Sequence, residues 1–387
     1  MRILHIVHSL VPGAYRGGIS KVAHELSAAQ ASLGHRVSAM ATNLNSGHPT
    51  GIPAGHKAEI DGVEVSYFGA RGLASSSLRR RLLDEAGQFD VIHAHNPLSP
   101  LNRYARLAAQ RTGRPLFVHL HGALNPYRQQ RWRHFVRRAL YVRLVERRNL
   151  RSASGLFALS DHEARHAERL IGADNTLLLP NGTSLVGARS AADPQRFRRQ
   201  FQLENRPLVL FVGRLCDIKG VHLLIEAFAR IARERPDLQL VLAGSRRQFP
   251  AYVRRLDGIV EDAGLDRRRV TWTGFLDEAE KIDALAAAEV FCHPSESEGM
   301  PMSVLEAMAM KLPCLIGVGC FMAEAARAGA VEQCEFAAES VEAGLRQLLD
   351  DPLRRAALAR RAGQHAAARH RWSAIAEAVV EHYQRAS

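Results

Sequence analysis

Short apolar runs alternate with longer stretches of helical periodicity along almost the whole chain. The first series of apolar runs covers residues 3–7, 36–41, 63–68, 91–94, 116–120 and 155–159, and a helical stretch over 21–33 follows the first run. A second series covers 208–212, 238–243, 270–272, 290–293 and 314–316, with helical stretches over 221–234 and 304–310. Such alternation predicts α/β structure, in which helices cover parallel sheets.

The two series predict two domains. A chain of 387 residues is longer than one hydrophobic core usually supports. We expect two Rossmann-like, doubly wound domains over residues 1–184 and 185–387, with the boundary after Pro180-Asn181-Gly182. A last helix over about 372–385 can pack on either domain. In such folds ligands bind at the carboxyl ends of the strands.

Composition places the chain among globular proteins. Hydrophobic residues make up 47% and charged residues 24%, and no apolar run approaches the ~20 residues of a membrane span. The apolar N-terminal stretch is short and broken by His5 and His8, which favours a buried strand over a signal peptide. Five cysteines without a CxxC pair are typical of a reducing compartment. We therefore expect a cytoplasmic protein.

Charge is distributed unevenly between the two halves. The net charge is +13, of which residues 1–184 carry +12 and residues 185–387 carry +1. Residues 128–151 alone contain nine arginines, interleaved with apolar residues at helical spacing (Trp132, Phe135, Val136, Ala139, Leu140). This pattern indicates a basic amphipathic helix. The helix either packs its apolar face on the core or contacts the inner face of an anionic membrane. The charge asymmetry favours contact with the membrane.

Two cations follow the first strand of the second series. The segment reads Val212-Gly213-Arg214-Leu215-Cys216-Asp217-Ile218-Lys219-Gly220, directly before the helical stretch at 221. A diphosphate needs fixed positive charge and backbone N–H groups at a helix N-terminus, and this segment can supply both. Two solvated surface cations would have the same pattern.

Two glutamates flank a predicted helix start further along. Glu298 lies on a loop before Gly299 and Pro301, and Glu306 falls in the second turn of the helix. The helix N-terminus can bind phosphate, while carboxylates can accept hydrogen bonds from pairs of hydroxyls. The spacing alone carries little information, because glutamate is common.

Taken together, these motifs resemble the retaining glycosyltransferases of family 4, which have the two-Rossmann GT-B fold with the domains facing a cleft. The resemblance rests on Gly213-Arg214…Lys219-Gly220 and on Pro294-Ser295…Glu298-Gly299…Glu306-Ala307. The first half agrees through its own motifs, which are Arg16-Gly17-Gly18, Gly34-His35-Arg36, Asp90-Val91-Ile92-His93-Ala94-His95, His121-Gly122, Ser160 near Glu163, and Pro180-Asn181-Gly182.

The resemblance implies a role for each matching residue. Arg214 and Lys219 would neutralise the donor diphosphate, including the charge that develops as the glycosidic bond breaks. Glu306 would hold the ribose hydroxyls, and Glu298 would contact the transferred sugar beside the backbone N–H groups of Met300 and Met302. Gly17 and Gly18 would approach the phosphates or the sugar, and His121 would reach the sugar from the first domain. The leaving phosphate would help to take the acceptor proton.

Three positions depart from the family pattern and leave the donor sugar open. Lys311 stands where a glycine is usual, residues 317–324 replace a glycine-rich loop ending in glutamate, and Thr183-Ser184 replace an aspartate after Pro180-Asn181-Gly182.

A metal ion is not expected. The chain contains no Asp-x-Asp sequence, the motif by which paired carboxylates hold a cation on a donor diphosphate. His93 and His95 can share one face of a strand and so can bind a metal, but no carboxylate or cysteine cluster accompanies them. A structural role or contact with the acceptor is the favoured interpretation.

The function we expect is transfer of a hexosyl or N-acetylhexosaminyl group from a UDP- or GDP-sugar to a glycan or lipid-linked acceptor in the biosynthesis of cell-surface polysaccharide or glycolipid. The nucleotide sugar is a co-substrate, and no cofactor is predicted. The alternative is an epimerase or another enzyme on the same scaffold. Nucleic-acid binding has only the pI of about 10.1 in its favour and lacks a binding motif.

Overall fold

A computed structural model describes residues 1–10, 17–45, 48–71, 74–95, 97–125, 132–172, 174–266 and 268–386. The chain folds into two compact units. The first unit contains Met1–Gly182 and Trp372–Ser387, and the second contains Thr183–Arg371. The chain therefore passes from the first unit to the second and returns.

The first unit is built on an eight-stranded sheet. Its strands belong to the ten that precede residue 182: β1 (Arg2–Val7), β2 (Arg36–Thr42), β3 (Leu44–Asn45), β4 (His48–Pro49), β5 (Lys57–Ile60), β6 (Val63–Phe68), β7 (Val91–His95), β8 (Leu116–His119), β9 (Gly155–Ala158) and β10 (Thr176–Leu178). The order is β10-β9-β8-β7-β1-β2-β6-β5, parallel except for β5 against β6, while β3 and β4 form a separate antiparallel pair. From β1 the strand order runs outwards in one sense through β2 and β6 and in the opposite sense through β7 to β10, as in doubly wound folds.

Helices connect these strands. They are α1 (Gly18–Ser32), α2 (Ser76–Glu85), α3 (Pro100–Thr112), α4 (Trp132–Tyr141), α5 (Arg147–Arg151) and α6 (Asp161–Ile171), with a π-helical segment Val142–Glu146 between α4 and α5. Strands β1 and β7 are buried along nearly their whole length, as expected of strands covered on both faces.

The second unit repeats the design on a six-stranded parallel sheet. Its strands are β11 (Leu208–Val212), β12 (Gln239–Ala243), β13 (Val270–Gly274), β14 (Val290–His293), β15 (Cys314–Gly317) and β16 (Glu332–Cys334), in the order β13-β12-β11-β14-β15-β16. Its helices are α7 (Pro194–Gln200), α8 (Val221–Ala232), α9 (Pro250–Asp262), α10 (Glu278–Ala287), α11 (Met302–Ala309), α12 (Ala323–Arg327), α13 (Ala338–Asp350) and α14 (Pro352–Arg369). All five cysteines are free and buried in this unit.

The last helix, α15 (Trp372–Ala386), packs on α1 in the first unit. The indole nitrogen of Trp372 donates to a carboxylate oxygen of Glu25 at 2.7 Å. Gly182 lies so close to the Trp372 ring that a methyl group at this position would overlap it. The structural division falls at 182/183, two residues before the position expected from the sequence, and it assigns this helix to the first unit.

Lys311 shows why glycine is usual at its position. It follows α11 with a φ of 54°, in the left-handed region that favours glycine, and its side chain is exposed. The departure therefore affects the backbone conformation at a helix end.

Among the described residues, no helix is long and apolar enough to cross a membrane.

Candidate functional site

Three side chains meet at the carboxyl edge of the second sheet. Lys219 ends a 3₁₀ turn after β11, and its ammonium contacts a carboxylate oxygen of Glu298. Nε2 of His293, the last residue of β14, lies 3.0 Å from the same oxygen. All three side chains are largely buried. Two of the residues predicted to bind the donor therefore form one ion pair.

Electrostatics keep Glu298 ionised. Burial alone would raise the pKa of its carboxyl, but the Lys219 ammonium and the hydrogen bond from His293 outweigh burial and hold that pKa well below its usual value. The site thus presents a carboxylate that stays ionised across the ordinary pH range, in contact with the side chain of Lys219.

Backbone hydrogen bonds lock together the loops that follow β11, β14 and β15, which are neighbours in the sheet. The carbonyl oxygen of Ile218 accepts from the amide of Glu296 and from the hydroxyl of Ser295, both at 2.8 Å. The amide of Glu298 donates to the carbonyl of Gly319 at 2.8 Å. A methyl group at Gly319 would overlap the Glu296 carbonyl, so glycine is required there for close packing.

Glu306 lies on α11 and is buried against a lysine from α10. Nζ of Lys281 is 2.8 Å from a carboxylate oxygen of Glu306 and 2.9 Å from one of Glu278. Glu306 and Lys281 are almost fully buried, whereas Glu278 is half exposed. The carboxylate is thus held in a fixed orientation.

The other residues of this unit that are predicted to bind the sugar donor lie close in sequence to Lys219 or Glu298. Arg214 is exposed two residues after β11. Met302 is the first residue of α11 and Met300 lies just before it, and both pack partly on the core. The first N–H groups of a helix point away from its own carbonyls and can bind an anion. Pro301 takes the N-cap position, one residue before the helix.

His293 and Lys281 were not predicted from the sequence. His293 ends an apolar strand and gave no motif signal beyond its position before Pro294. Lys281 lies on a separate helix, and nothing in the spacing relates it to Glu306. The contact of Lys281 with Glu306 is set by tertiary packing, whereas His293 lies five residues before Glu298 and reaches it through the conformation of the loop between them.

Five histidines form a stacked cluster in the first unit. His5 on β1 is in register with His93 on β7, and His95 on β7 is in register with His119 on β8. His121 follows β8 with a φ of 53°, and its ring stacks on His119 at a centroid distance of 4.0 Å. Adjacent parallel strands thus bring together His93 and His95, which the sequence singled out, and His121, which it predicted to contact the sugar.

Burial keeps the cluster uncharged. It lowers the pKa of His5 to about 4 and that of His119 to about 3, and it lowers the pKa values of His93, His95 and His121 well below the usual value. Within the described residues, two groups have three ligand nitrogens within 4.8 Å of one another, namely His5/His93/His95 and His95/His119/His121. Neutral imidazoles in such groups can in principle hold a metal ion.

Gly17 and Gly18 mark the start of α1, with Gly17 at the N-cap in an extended conformation. Neither has a positive φ, and a methyl group at Gly18 would meet nothing within 4 Å. The backbone conformation therefore does not require glycine here. Arg16 lies outside the described residues.

A doubly wound sheet in each unit, with charged groups at the carboxyl edge of the second sheet, is the architecture of the GT-B fold. Residues 193–366 match the family "Glycosyl transferases group 1", and residues 17–182 match the "Glycosyl transferase 4-like domain". The chain belongs to this family of group 1, or family 4, glycosyltransferases, which confirms the resemblance seen in the sequence.

Individual relatives agree with the assignment. The chain is 29% identical to the alpha-D-kanosaminyltransferase of Streptomyces kanamyceticus, over 82% of this chain and 84% of that protein. It is 25% identical to the phosphatidyl-myo-inositol mannosyltransferase of Mycobacterium tuberculosis, over 95% and 93%. The crystal structure of Anabaena HepE in complex with UDP-glucose has the same fold, with a TM-score of 0.80 at 21% identity over the whole of both chains. The protein is a glycosyltransferase, and the relatives support transfer over the epimerase alternative.

Proposed function

We propose that the protein is a retaining glycosyltransferase that binds a nucleotide-sugar donor at the Lys219–Glu298 pair. The observation that carries this proposal is the buried ammonium and carboxylate, held beside the N-terminus of α11 by three interlocked loops. Lys219 and the exposed Arg214 neutralise the diphosphate, Glu298 accepts hydrogen bonds from the transferred sugar, and Glu306 accepts them from the ribose.

The donor is a nucleoside diphosphate sugar. The complex of Anabaena HepE with UDP-glucose supports a UDP-sugar as the first donor to test. No metal ion is needed in this scheme, since two cationic side chains and a helix N-terminus supply the positive charge. The positive charges of Arg214 and Lys219 support stabilisation of the leaving diphosphate. We assign no general base.

A donor screen tests the proposal. We expect one of the UDP-, GDP- or ADP-sugars to raise the melting temperature without added metal. Glu306→Gln is expected to raise the KM for that donor about tenfold with kcat nearly unchanged, because it replaces one acceptor oxygen that contacts the ribose in the ground state and the transition state alike. Glu278→Gln is the matched control, since Glu278 also contacts Lys281 but lies exposed on α10. Equal effects of the two substitutions would contradict the role of Glu306.

We further propose that the acceptor is lipid-linked and that the basic segment docks on an anionic membrane. The phosphatidyl-myo-inositol mannosyltransferase supports a lipid acceptor. Val136, Leu140 and Leu144, spaced four residues apart, are 42%, 52% and 73% exposed. These three residues form an apolar stripe that faces away from the core. The residues of the same segment that face the core are Val142, Glu146 and Leu150. Residues 128–131 lie outside the described residues.

Arginines accompany the exposed stripe. A pocket of about 380 Å³ is lined by Arg143, Arg147, Arg148, Arg151 and Ser152. Each cation near an anionic leaflet contributes about 1 kcal/mol, so several of them together with inserted leucines suffice for reversible binding. Arg138 is a poor test residue, because it donates to the carbonyl oxygens of Ala123 and Asn125.

Vesicle sedimentation tests the docking. We expect vesicles containing anionic lipid to pellet the protein at low salt, and Arg143/Arg148/Arg151→Glu to leave it in the supernatant. The control Arg233/Arg254/Arg360→Glu makes the same change in net charge at exposed positions of the second unit and is expected to pellet like the wild type. Sedimentation of both triple variants would contradict the proposed surface.

A further inference from the structure

A line of hydrogen bonds connects α1 to His121 through two buried histidines. Nε2 of His5 lies 2.7 Å from the amide oxygen of Gln30. Nδ1 of His5 lies 2.9 Å from Nε2 of His95, and Nδ1 of His95 lies 2.9 Å from Nε2 of His121. Gln30, His5 and His95 are buried, and His121 is partly exposed. The line therefore ends at the histidine predicted to contact the sugar.

The position of each proton follows from the chemistry of the groups. A neutral imidazole has one N–H donor and one bare acceptor nitrogen, and an amide oxygen can only accept. Nε2 of His5 must therefore carry its proton, which leaves Nδ1 of His5 as an acceptor. Nε2 of His95 must then donate, and by the same step so must Nε2 of His121. Nδ1 of His121 is left without a proton.

Gln30 is itself oriented from the other side. Its amide nitrogen lies 3.4 Å from the hydroxyl oxygen of Tyr383 on α15, and that oxygen lies 2.5 Å from Nδ1 of His93. We assign the hydroxyl proton to the contact with Nδ1 of His93, so that the tyrosine oxygen accepts from the amide nitrogen. The amide oxygen of Gln30 is consequently directed at His5.

We propose that Gln30, His5 and His95 are positioning residues that hold His121 in the Nε2–H tautomer, with Nδ1 free to accept a hydrogen bond. The ring plane is held by stacking on His119, at an interplanar angle of 9°. A bare Nδ1 recognises a hydroxyl group, which is the chemistry of a sugar. Only this choice of ligand rests on the proposed function; the tautomer does not.

Metal binding is the competing use of the same nitrogens, and the hydrogen bonds oppose it. Both candidate groups share His95, whose two ring nitrogens are already engaged by His5 and His121. A metal ion bound by His95 would have to break at least one of these two links.

Nitrogen NMR of the ¹⁵N-histidine-labelled full chain tests the proposal directly, because protonated and bare ring nitrogens have different chemical shifts. His5→Asn, His95→Asn and His121→Asn variants assign the signals. We expect His5, His95 and His121 all to carry the proton on Nε2. A proton on Nδ1 of His121 would overturn the proposal, as would stoichiometric displacement of the His95 signals by one equivalent of ZnCl₂.

Variants at the origin of the line provide the second arm. In Gln30→Leu the tautomer of His121 is expected to become mixed, and Tyr383→Phe, which removes the hydroxyl that orients the Gln30 amide, is expected to mix it as well. Gln347→Leu, the same change at an exposed residue of α13, is the control and is expected to keep the tautomer. An unchanged tautomer in folded Gln30→Leu would overturn the role of Gln30. In a transfer assay Gln30→Leu should lower kcat about tenfold, the lower end of the effect known for partners of metal-bound histidines. The NMR result stands without any donor, so a wrong donor assignment remains distinguishable.

Discussion

Replacing Lys219 by methionine is expected to lower kcat for sugar transfer by roughly 100- to 1,000-fold, because the ammonium stabilises charge that develops on the leaving diphosphate. The substitution also leaves the buried Glu298 carboxylate without its main counter-charge, which destabilises the fold by about 3 kcal/mol. Activity and urea unfolding are the two measurements. Lys57→Met, at an exposed lysine of β5, is the control and should change neither.

A double variant separates the two effects. Lys219→Met/Glu298→Gln removes both charges, so the stability lost in the single variant should largely return while activity stays low. Recovery of activity together with stability would mean that Lys219 acts only in folding. Full activity in the single variant would contradict the proposed site.

The second large effect is a loss of stability in mild acid. The pKa values of the five clustered histidines are lower in the folded protein than in the unfolded chain, so folding is favoured above the unfolded value of about 6.5. As pH falls below that value the unfolded chain takes up protons that the folded protein does not, and stability declines towards pH 4. Each such histidine contributes up to about 1.4 kcal/mol per pH unit.

His119→Phe tests this dependence. Neither ring nitrogen of His119 has a hydrogen-bond partner within the part of the chain that the structure describes, and its ring is buried in the stack. Phenylalanine preserves the stacked shape and removes one titrating group. Urea unfolding at about pH 7, 6 and 5 gives the slope of unfolding free energy against pH. We expect this slope to decrease by up to about 1.4 kcal/mol per pH unit, which corresponds to one proton fewer taken up on unfolding. The exposed His56→Phe is the control, and an equal change there would refute the assignment.

Much of the fold could be predicted from the alternation of apolar runs. Strands Val63–Phe68, Leu208–Val212 and Val290–His293 begin and end where the sequence predicts. The weak edge strands Lys57–Ile60, Thr176–Leu178 and Glu332–Cys334 were not predicted, because edge positions are short and partly exposed and have no continuous apolar run.

The candidate site was predictable only where chemistry follows the chain. Arg214, Lys219, Glu298 and Glu306 lie in motifs with fixed spacing. Lys281 reaches Glu306 through packing of separate helices, which no local pattern encodes. His293 reaches Glu298, five residues further on, through the conformation of the loop between them. The histidine cluster could be predicted in part. The sequence places each histidine in or just after a strand, but the contacts between the rings depend on the register of β1, β7 and β8.

The return of α15 to the first unit has a consequence for synthesis on the ribosome. Domains generally fold as units while the chain emerges, but here Tyr383 and the rest of α15 are separated from their unit by the whole of Thr183–Arg371. At 5–20 residues per second, those roughly 190 residues take about 10–40 s to translate. During that time the surface of α1 that receives α15 is uncovered, and Gln30 lacks the tyrosine that orients it. The nascent first unit therefore completes its core only after the second unit has been made.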